Sequence, residues 1–267
     1  MGEGVIFGTG LPARSSAVAY SLADTRLAGL GFLSDEERAA LERVPLAARL
    51  LAPGDELLRE GSAPENLYFL HAGWAYRYMT TRSGGRQISA LILPGGVCNL
   101  DNLLLERADF GVRALTASTV LALPRERALA LTAAYPGVAR AFTWAAIAEN
   151  AILSQWALGL GRRSSQERLA HLFCELSVRT GADEAGEEGF DVPLTQELIA
   201  DTLGLTPVHV NRTMQYLRGQ ELIATVGRRV RILDLDRLRR LADFDPGYLH
   251  QIEKSASMPP VEALQPA

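Results

Sequence analysis

Cysteine is nearly missing from this chain of 267 residues: only Cys98 and Cys174 occur, far apart, with no CxxC or Cys/His cluster around either. That spacing gives no disulfide framework, and both are expected to be small buried hydrophobes. Histidine is scarce too, with four scattered copies and no metal-ligand spacing, so no metal site is expected. No run reaches the roughly eighteen uninterrupted apolar residues of a membrane span. The first twenty residues lack a basic stretch followed by an apolar core, so no signal peptide, no membrane partner and a cytoplasmic location are expected. No Ser/His/Asp, metal or P-loop constellation can be assembled, which argues against an enzyme. What is present is ample apolar material, 48% of the chain, and a formal net charge of −4. That is enough for two cores plus tails.

The densest information lies in residues 194–218, LTQELIADTLGLTPVHVNRTMQYLR. Thr195 is placed to N-cap a first helix whose inward positions are Leu198, Ile199 and Leu203. Gly204 supplies a turn where a left-handed backbone is often required. Thr206 caps a second helix, with Pro207 at the first position, where a missing N–H costs nothing. Val210, Met214 and Leu217 share one face of that helix, leaving Val208, His209, Arg212 and Gln215 on another. The pattern is a helix-turn-helix. Leu222–Val226 and Val230–Leu233 then flank Gly227-Arg228-Arg229, a hairpin with a basic tip, or wing. Asp234 or Asp236 starts a last helix. From Thr206 to Arg240 there are eight arginines against three carboxylates, a basic island on an acidic chain. Such an island fits focused contact with a phosphate backbone, although Arg237, Arg239 and Arg240 also fit a merely solvated helix face.

The rest of the chain divides by texture. Residues 1–30 read as a disordered extension, rich in Gly, Ala and Ser. A capping box, Ser34-x-x-Glu37, opens a short helix over Leu33–Leu46. Short β-prone runs at Leu57–Leu58, Leu67–Leu70, Trp74–Met79, Ile88–Leu93 and Val120–Leu123 alternate with Gly and Pro turn signals. Such spacing predicts a jelly roll over residues 31–135. Residues 136–161 predict a long helix with Arg140 and Glu149 as its only charges. Its stripe of Ala141, Ala145, Ala148, Ile152, Gln155 and Gly159 is expected to meet a second copy, while Phe142, Ile147, Leu153 and Trp156 cover the β-domain. Gly161 is expected to interrupt it, and Ser164-x-x-Glu167 opens the next helix, the start of a DNA-binding domain over 162–245. Residues 246–267 read as a tail. The fold class is α+β: an N-terminal β-roll, a long dimerisation helix and a C-terminal winged helix-turn-helix.

This order of parts resembles the Crp/Fnr family of bacterial transcription regulators over about residues 30–240. The resemblance rests on Ala52-Pro53-Gly54-Asp55, Arg59-Glu60-Gly61, Leu67-Tyr68-Phe69-Leu70 and Gly73-Trp74 in the β-roll. It rests also on Ser165-Gln166-Glu167-Arg168-Leu169-Ala170 and, in the DNA-binding part, on Leu203-Gly204-Leu205-Thr206 and Arg212. It implies a homodimer on a two-fold symmetric DNA operator, with RNA polymerase as a further partner. Phosphate contacts are expected from Thr195, Gln196, Thr206, Arg228 and Arg229, and base reading from Val208, His209, Arg212 and Gln215. The resemblance fails at the ligand. Members that bind cyclic nucleotides carry a Gly-Glu pair for the ribose and an Arg followed by Ser or Thr for the phosphate. Here Asn99-Leu100 and Ala108-Asp109 (or Phe110-Gly111) stand in those places. An anion without an Arg or amide cradle is costly to bury. Polar candidates for an unknown small-molecule effector are Asn99, Asn102, Arg113 and Ser154, around Leu100. The family's iron–sulfur sensing needs four cysteine ligands, and no axial pair for a haem is present, so no cofactor is expected. Two rivals stand beside this reading. One is a cyclic-nucleotide-responsive regulator with a rearranged pocket; the other is an enzyme with a fused winged helix.

Overall fold

The computed structural model of the chain describes residues 20–182 and 189–250. Two antiparallel sheets build its first half. One has the order β1 (Tyr20–Ser21), β2 (Pro45–Leu51), β8 (Ser118–Pro124), β4 (Asn66–Ala72). The other runs β3 (Glu56–Leu58), β7 (Gly111–Ala114), β5 (Ala75–Thr80), β6 (Arg86–Ile92). Strand periodicity sorts their side chains into three layers. Val120 of β8 and Leu70 of β4 turn into the roll to meet Ala75, Val112 and Ile92. Their neighbours Leu121, Leu123, Leu67 and Phe69 face outward, under α1 (Asp35–Glu42), α2 (Arg125–Ala134) and the start of α3 (Pro136–Arg162). Tyr76, Ile88 and Leu91 leave the opposite sheet and enter the core of the second half. Each such buried side chain contributes about 1.5–3 kcal/mol relative to exposure, so the two halves are firmly docked.

The second half holds α4 (Ser165–Arg179), α5 (Gln196–Leu203), α6 (Pro207–Gly219) and α7 (Leu235–Ala242). Beside them lies a small sheet, β10 (Ile223–Val226), β11 (Arg229–Ile232), β9 (Phe190–Asp191). Both expected capping boxes form. Ser34 accepts from the Glu37 amide at 3.2 Å and Ser164 from the Glu167 amide at 3.3 Å, and each glutamate returns a bond to its serine's amide. The β-roll, long helix and winged helix-turn-helix of the sequence reading are all present.

Several local expectations are corrected. The first helix stops at Glu42 rather than Leu46, because Pro45 disfavours a helical residue before it and opens β2. Residues 20–30, assigned to a disordered extension, are packed instead. Leu22 is fully buried, Leu27, Ala28 and Leu30 nearly so, and two 3-10 turns place them on the outer face of the roll. The remaining residues 1–19 lie outside the described residues. Gly161 does not interrupt α3, which continues to Arg162. The start of the expected tail is also ordered: a 3-10 turn at Pro246–Leu249 buries Leu249, and residues 251–267 are outside the described part. Among the described residues no helix is long and apolar enough to cross a membrane.

Candidate functional site

The helix-turn-helix is assembled from local chemistry. Thr195 accepts from the Leu198 amide at 3.2 Å to start α5, and Thr206 accepts from the His209 amide at 3.3 Å to start α6, with Pro207 in its first turn. Between them Gly204 has φ 60° and ψ 42°. The positive φ is what favours glycine; a Cβ there would lie 2.8 Å from Leu160 Cδ2 of α3, the tip of a side chain that can move aside. Val210, Thr213 and Leu217 bury one face of α6. The opposite face carries Val208, 62% exposed, with His209, Arg212 and Gln215 also exposed. The sequence reading missed two members of this surface. Tyr216, 43% exposed, lies one turn beyond Arg212. Arg218 reaches Thr225 Oγ1 at 3.2 Å and ties α6 to the wing. Helical spacing from Arg212 was the available signal for Tyr216.

The wing pairs Val226 with Arg229, so its turn is only Gly227-Arg228. Gly227 has φ 60°, which such a tight turn requires. Arg228 stands at the tip. Arg229 belongs to the returning strand and donates to the Gly189 carbonyl at 3.3 Å. In α7, Asp234 is the cap, accepting from the Arg237 amide at 2.9 Å. Thr195, Gln196, Thr206 and Arg228 are exposed at the ends of α5, α6 and the wing. All the residues singled out for DNA therefore lie on solvent-facing positions of one small domain.

The sensor half is different. Asn99 is fully buried and structural: its carbonyl accepts from the Tyr68 amide at 2.8 Å and its amide donates to the Asn66 carbonyl at 3.0 Å. Leu100 is in the outer core, and Asn102 donates to the Leu105 carbonyl at 3.4 Å. Arg113 pairs with Glu56 at 3.5 Å and lies over the Tyr78 ring. Ser154 is exposed on α3, bonded to the Asn150 carbonyl. The fold does not gather these five around a common cavity. Arg77, which the sequence reading passed over, lies within the space between roll and helix. Its guanidinium is 4.2 Å from the Phe110 ring centroid and pairs with Glu149 of α3 at 3.1 Å. It also donates to the Cys98 carbonyl at 3.2 Å. An arginine interrupting the strand Ala75–Thr80 was the sequence signal. Desolvation raises the Glu149 carboxyl above its usual range, and Arg77 opposes the rise. Burial pushes both thiols, Cys98 and Cys174, up to about 12, which suppresses the reactive thiolate. Among the described residues no group of His, Cys, Asp or Glu is clustered to hold a metal.

A buried network joins the halves. Glu175 of α4 is fully buried and accepts three bonds at 2.9 Å, from Trp156 Nε1 of α3, from the Tyr248 hydroxyl and from Arg179. Arg179 also donates to the Leu91 carbonyl of β6 at 2.6 Å. Beyond it, Arg86 of the roll pairs with Asp201 of α5 at 2.7 Å, and Gln87 donates to the Thr202 carbonyl at 3.1 Å. The first helix of the helix-turn-helix is thus held to the second sheet of the roll.

Known proteins share this construction. Residues 48–135 match the cyclic nucleotide-binding domain family and residues 167–241 the Crp-like helix-turn-helix domain family, together more than half of the chain. The transcriptional activator protein Anr of Pseudomonas protegens is 28% identical over 210 residues, 79% of this chain and 86% of the relative. The nitrogen fixation regulation protein FixK of Azorhizobium caulinodans is 28% identical over 236 residues, 86% of this chain and 94% of its own. In fold, FixK2 of Bradyrhizobium japonicum superposes with a TM-score of 0.65 at 24% identity, covering 73% of this chain and 96% of that one. The two domains in this order, the recognition helix with its wing and the long helix between them make this chain a member of the Crp/Fnr family of DNA-binding transcription regulators, not an enzyme.

Proposed function

We propose that the protein acts as a homodimer that reads a two-fold symmetric operator and does not respond to cyclic nucleotides. The observation that carries the DNA reading is the solvent-exposed outer face of α6. Val208 fits a thymine methyl and Arg212 a guanine edge, with His209 and Gln215 beside them as further base readers. Thr195, Gln196, Thr206, Arg228 and Arg229 are proposed to hold phosphates. In a dimer the half-site centres would lie about one helical turn, roughly 34 Å, apart.

Dimerisation is supported by α3, though through a different stripe from the one its composition pointed to. Ala141 and Gly159 are buried within the chain, and Ala145, Ala148 and Ile152 face an internal cavity. Among its exposed positions, which also include Ala146 and Leu160, Thr143, Ile147, Asn150, Ser154, Ala157 and Gly161 are spaced alternately four and three residues apart. Leu153 and Leu158 flank them, 47% and 45% exposed. Alternating three-four spacing is the seam of a left-handed helix pair, and a polar residue such as Asn150 within it favours one register.

Against a cyclic nucleotide stand three features. Leu100 replaces the ribose ligand, Ala108-Asp109 replaces the phosphate ligands, and Arg77 with Glu149 occupies space beside α3. The tests are direct. DNA selected by the full chain from a random pool should be a two-fold repeat. Ile147→Glu should give monomers by light scattering and lose about 10²–10⁴-fold in affinity for that site, because the second half-site no longer adds avidity. A calorimetric dissociation constant for cyclic AMP at or below about 1 μM would overturn the nucleotide part. Mutant dimers that still bind DNA normally would overturn the seam.

A further inference from the structure

The described residues line a half-open cavity of about 310 Å³ that none of the expected ligand positions reaches. It lies on the flank of α3 away from the seam, so dimerisation leaves it accessible. Its walls come from both halves of the protein: the packed segment 26–30, the turn at Gly95–Val97, α3, and Arg179 with Leu249 from the DNA-binding half. Its size is at the small end of small-molecule sites, about 300–1,000 Å³, and such sites pair an apolar lining with a few polar groups. Leu27, Leu30, Val97, Trp144, Ile152 and Leu249 supply that lining.

The charges on its wall do not balance. Glu149 is neutralised by Arg77, and Arg179 by Glu175. Arg26 is left over. Its side chain makes no hydrogen bond or ion pair among the described residues, and its stem is laid against Gly95, where an added Cβ would come within 2.8 Å of Arg26 Cγ. Burial lowers its pKa, and the positive charge of Arg179 lowers it further. Asp101 lines the neighbouring cavity on the seam side of α3, whose wall Arg26 and Arg179 share, but no ion pair joins it to Arg26 among the described residues. Two guanidiniums lining one largely apolar space, one of them exposed and without an ion pair among the described residues, fit a single negative charge on an apolar body.

We propose that this cavity binds a small organic monocarboxylate, with its carboxylate between Arg26 and Arg179 and its apolar body against Trp144 and Ile152. Such a ligand would bear on Arg179, which also holds the Leu91 carbonyl and Glu175, so its occupancy would alter how the DNA-binding half is held to α3. Binding itself stands independently of the regulator reading, whereas the effect on DNA rests on it.

The test uses the full chain and a panel running from acetate through hexanoate to benzoate, with hexanamide and benzamide as uncharged controls and inorganic phosphate as a second anion. Melting curves and calorimetric titration should show saturable binding of hexanoate or benzoate, not of the amides. Arg26→Gln should weaken it about tenfold or more, the loss of one charge-assisted hydrogen bond, while Arg26→Lys should retain part. Amides binding as well as acids, phosphate binding in preference to every carboxylate, no carboxylate binding at all, or Arg26→Gln binding unchanged would each overturn the proposal. Selection of DNA from a random pool by the same preparation separates the two ideas. Carboxylate binding without DNA selection removes the regulator reading alone, and the converse removes this one alone.

Discussion

Arginine does opposite things in the scaffold of this protein and on the outer face of its helix-turn-helix and wing. Within the scaffold, Arg77 and Arg113 of the β-roll and Arg179 of α4 are each tied to a carboxylate, with part of their surface stacked on rings or capped on carbonyls. On the recognition surface the side chains of Arg212 and Arg228 are exposed and bonded to nothing among the described residues. A guanidinium satisfied within its own fold gives stability, while one left to water is available for a partner of opposite charge. The contrast separates scaffold from contact surface more sharply than net charge does.

Cutting a tied arginine loose is the largest way to test that contrast. Glu175→Ala would leave Arg179 without its carboxylate and two more donors unsatisfied in the core. It should destabilise the fold by about 3–5 kcal/mol in a denaturant titration, the usual cost of stranding a buried charge. A loss under roughly 1 kcal/mol would place this pair with exposed salt bridges and end the distinction.

Acid gives the next effect. His171 is packed against Phe244 and Tyr248 with its Nε2 unpartnered, and burial pushes its pKa down to about 3, with Arg163 adding to the fall. Its folded pKa lies below its unfolded value, so the unfolded chain binds the extra proton. The stability is therefore complete above about pH 6.5 and is lost as pH falls toward the folded value. Between pH 7 and pH 5 this group alone should cost about 2 kcal/mol. His171→Phe keeps the stack and should flatten that part of the pH–stability curve; an unchanged slope assigns it to other groups.

The free arginines should leave stability alone. Arg212→Ala is expected to cost about 1–3 kcal/mol on the selected site and to flatten preference at one base pair per half-site. Arg228→Ala should act more weakly, lowering cognate and non-cognate affinity alike and the salt slope by roughly one. Binding titrations over single-base variants at several salt concentrations distinguish the two. Uniform loss for Arg212→Ala with altered base preference for Arg228→Ala would exchange their roles.

What could be read from the residues was what is local. Thr195, Gly204, Thr206 and Pro207 act within a few residues of themselves, and each takes the conformation its chemistry asks for. The orientation of α3 was not local. A helix apolar nearly all round carries no polar edge to mark its inner face, so Ala148 and Ile147 are equally plausible seam residues until the sheets and α4 are in place. Likewise β2 was hidden because Arg49 and Leu50 are both exposed, breaking its alternation. The candidate pocket was placed by analogy of position, and position alone could not show that Asn99 turns its amide to the backbone of β4.

Gly204 carries a consequence for how such a regulator changes its target. The corner it forms takes a left-handed backbone, φ 60° and ψ 42°, that L side chains rarely adopt. The angle at which α6 leaves α5 is therefore set by the backbone conformation of one residue. The residues that α6 offers at 208, 212, 215 and 216 touch no core. If they read the operator as proposed, substitutions there would exchange one operator for another without disturbing that core. The protein would then keep a fixed holder and an interchangeable set of letters, which descent could rewrite one position at a time.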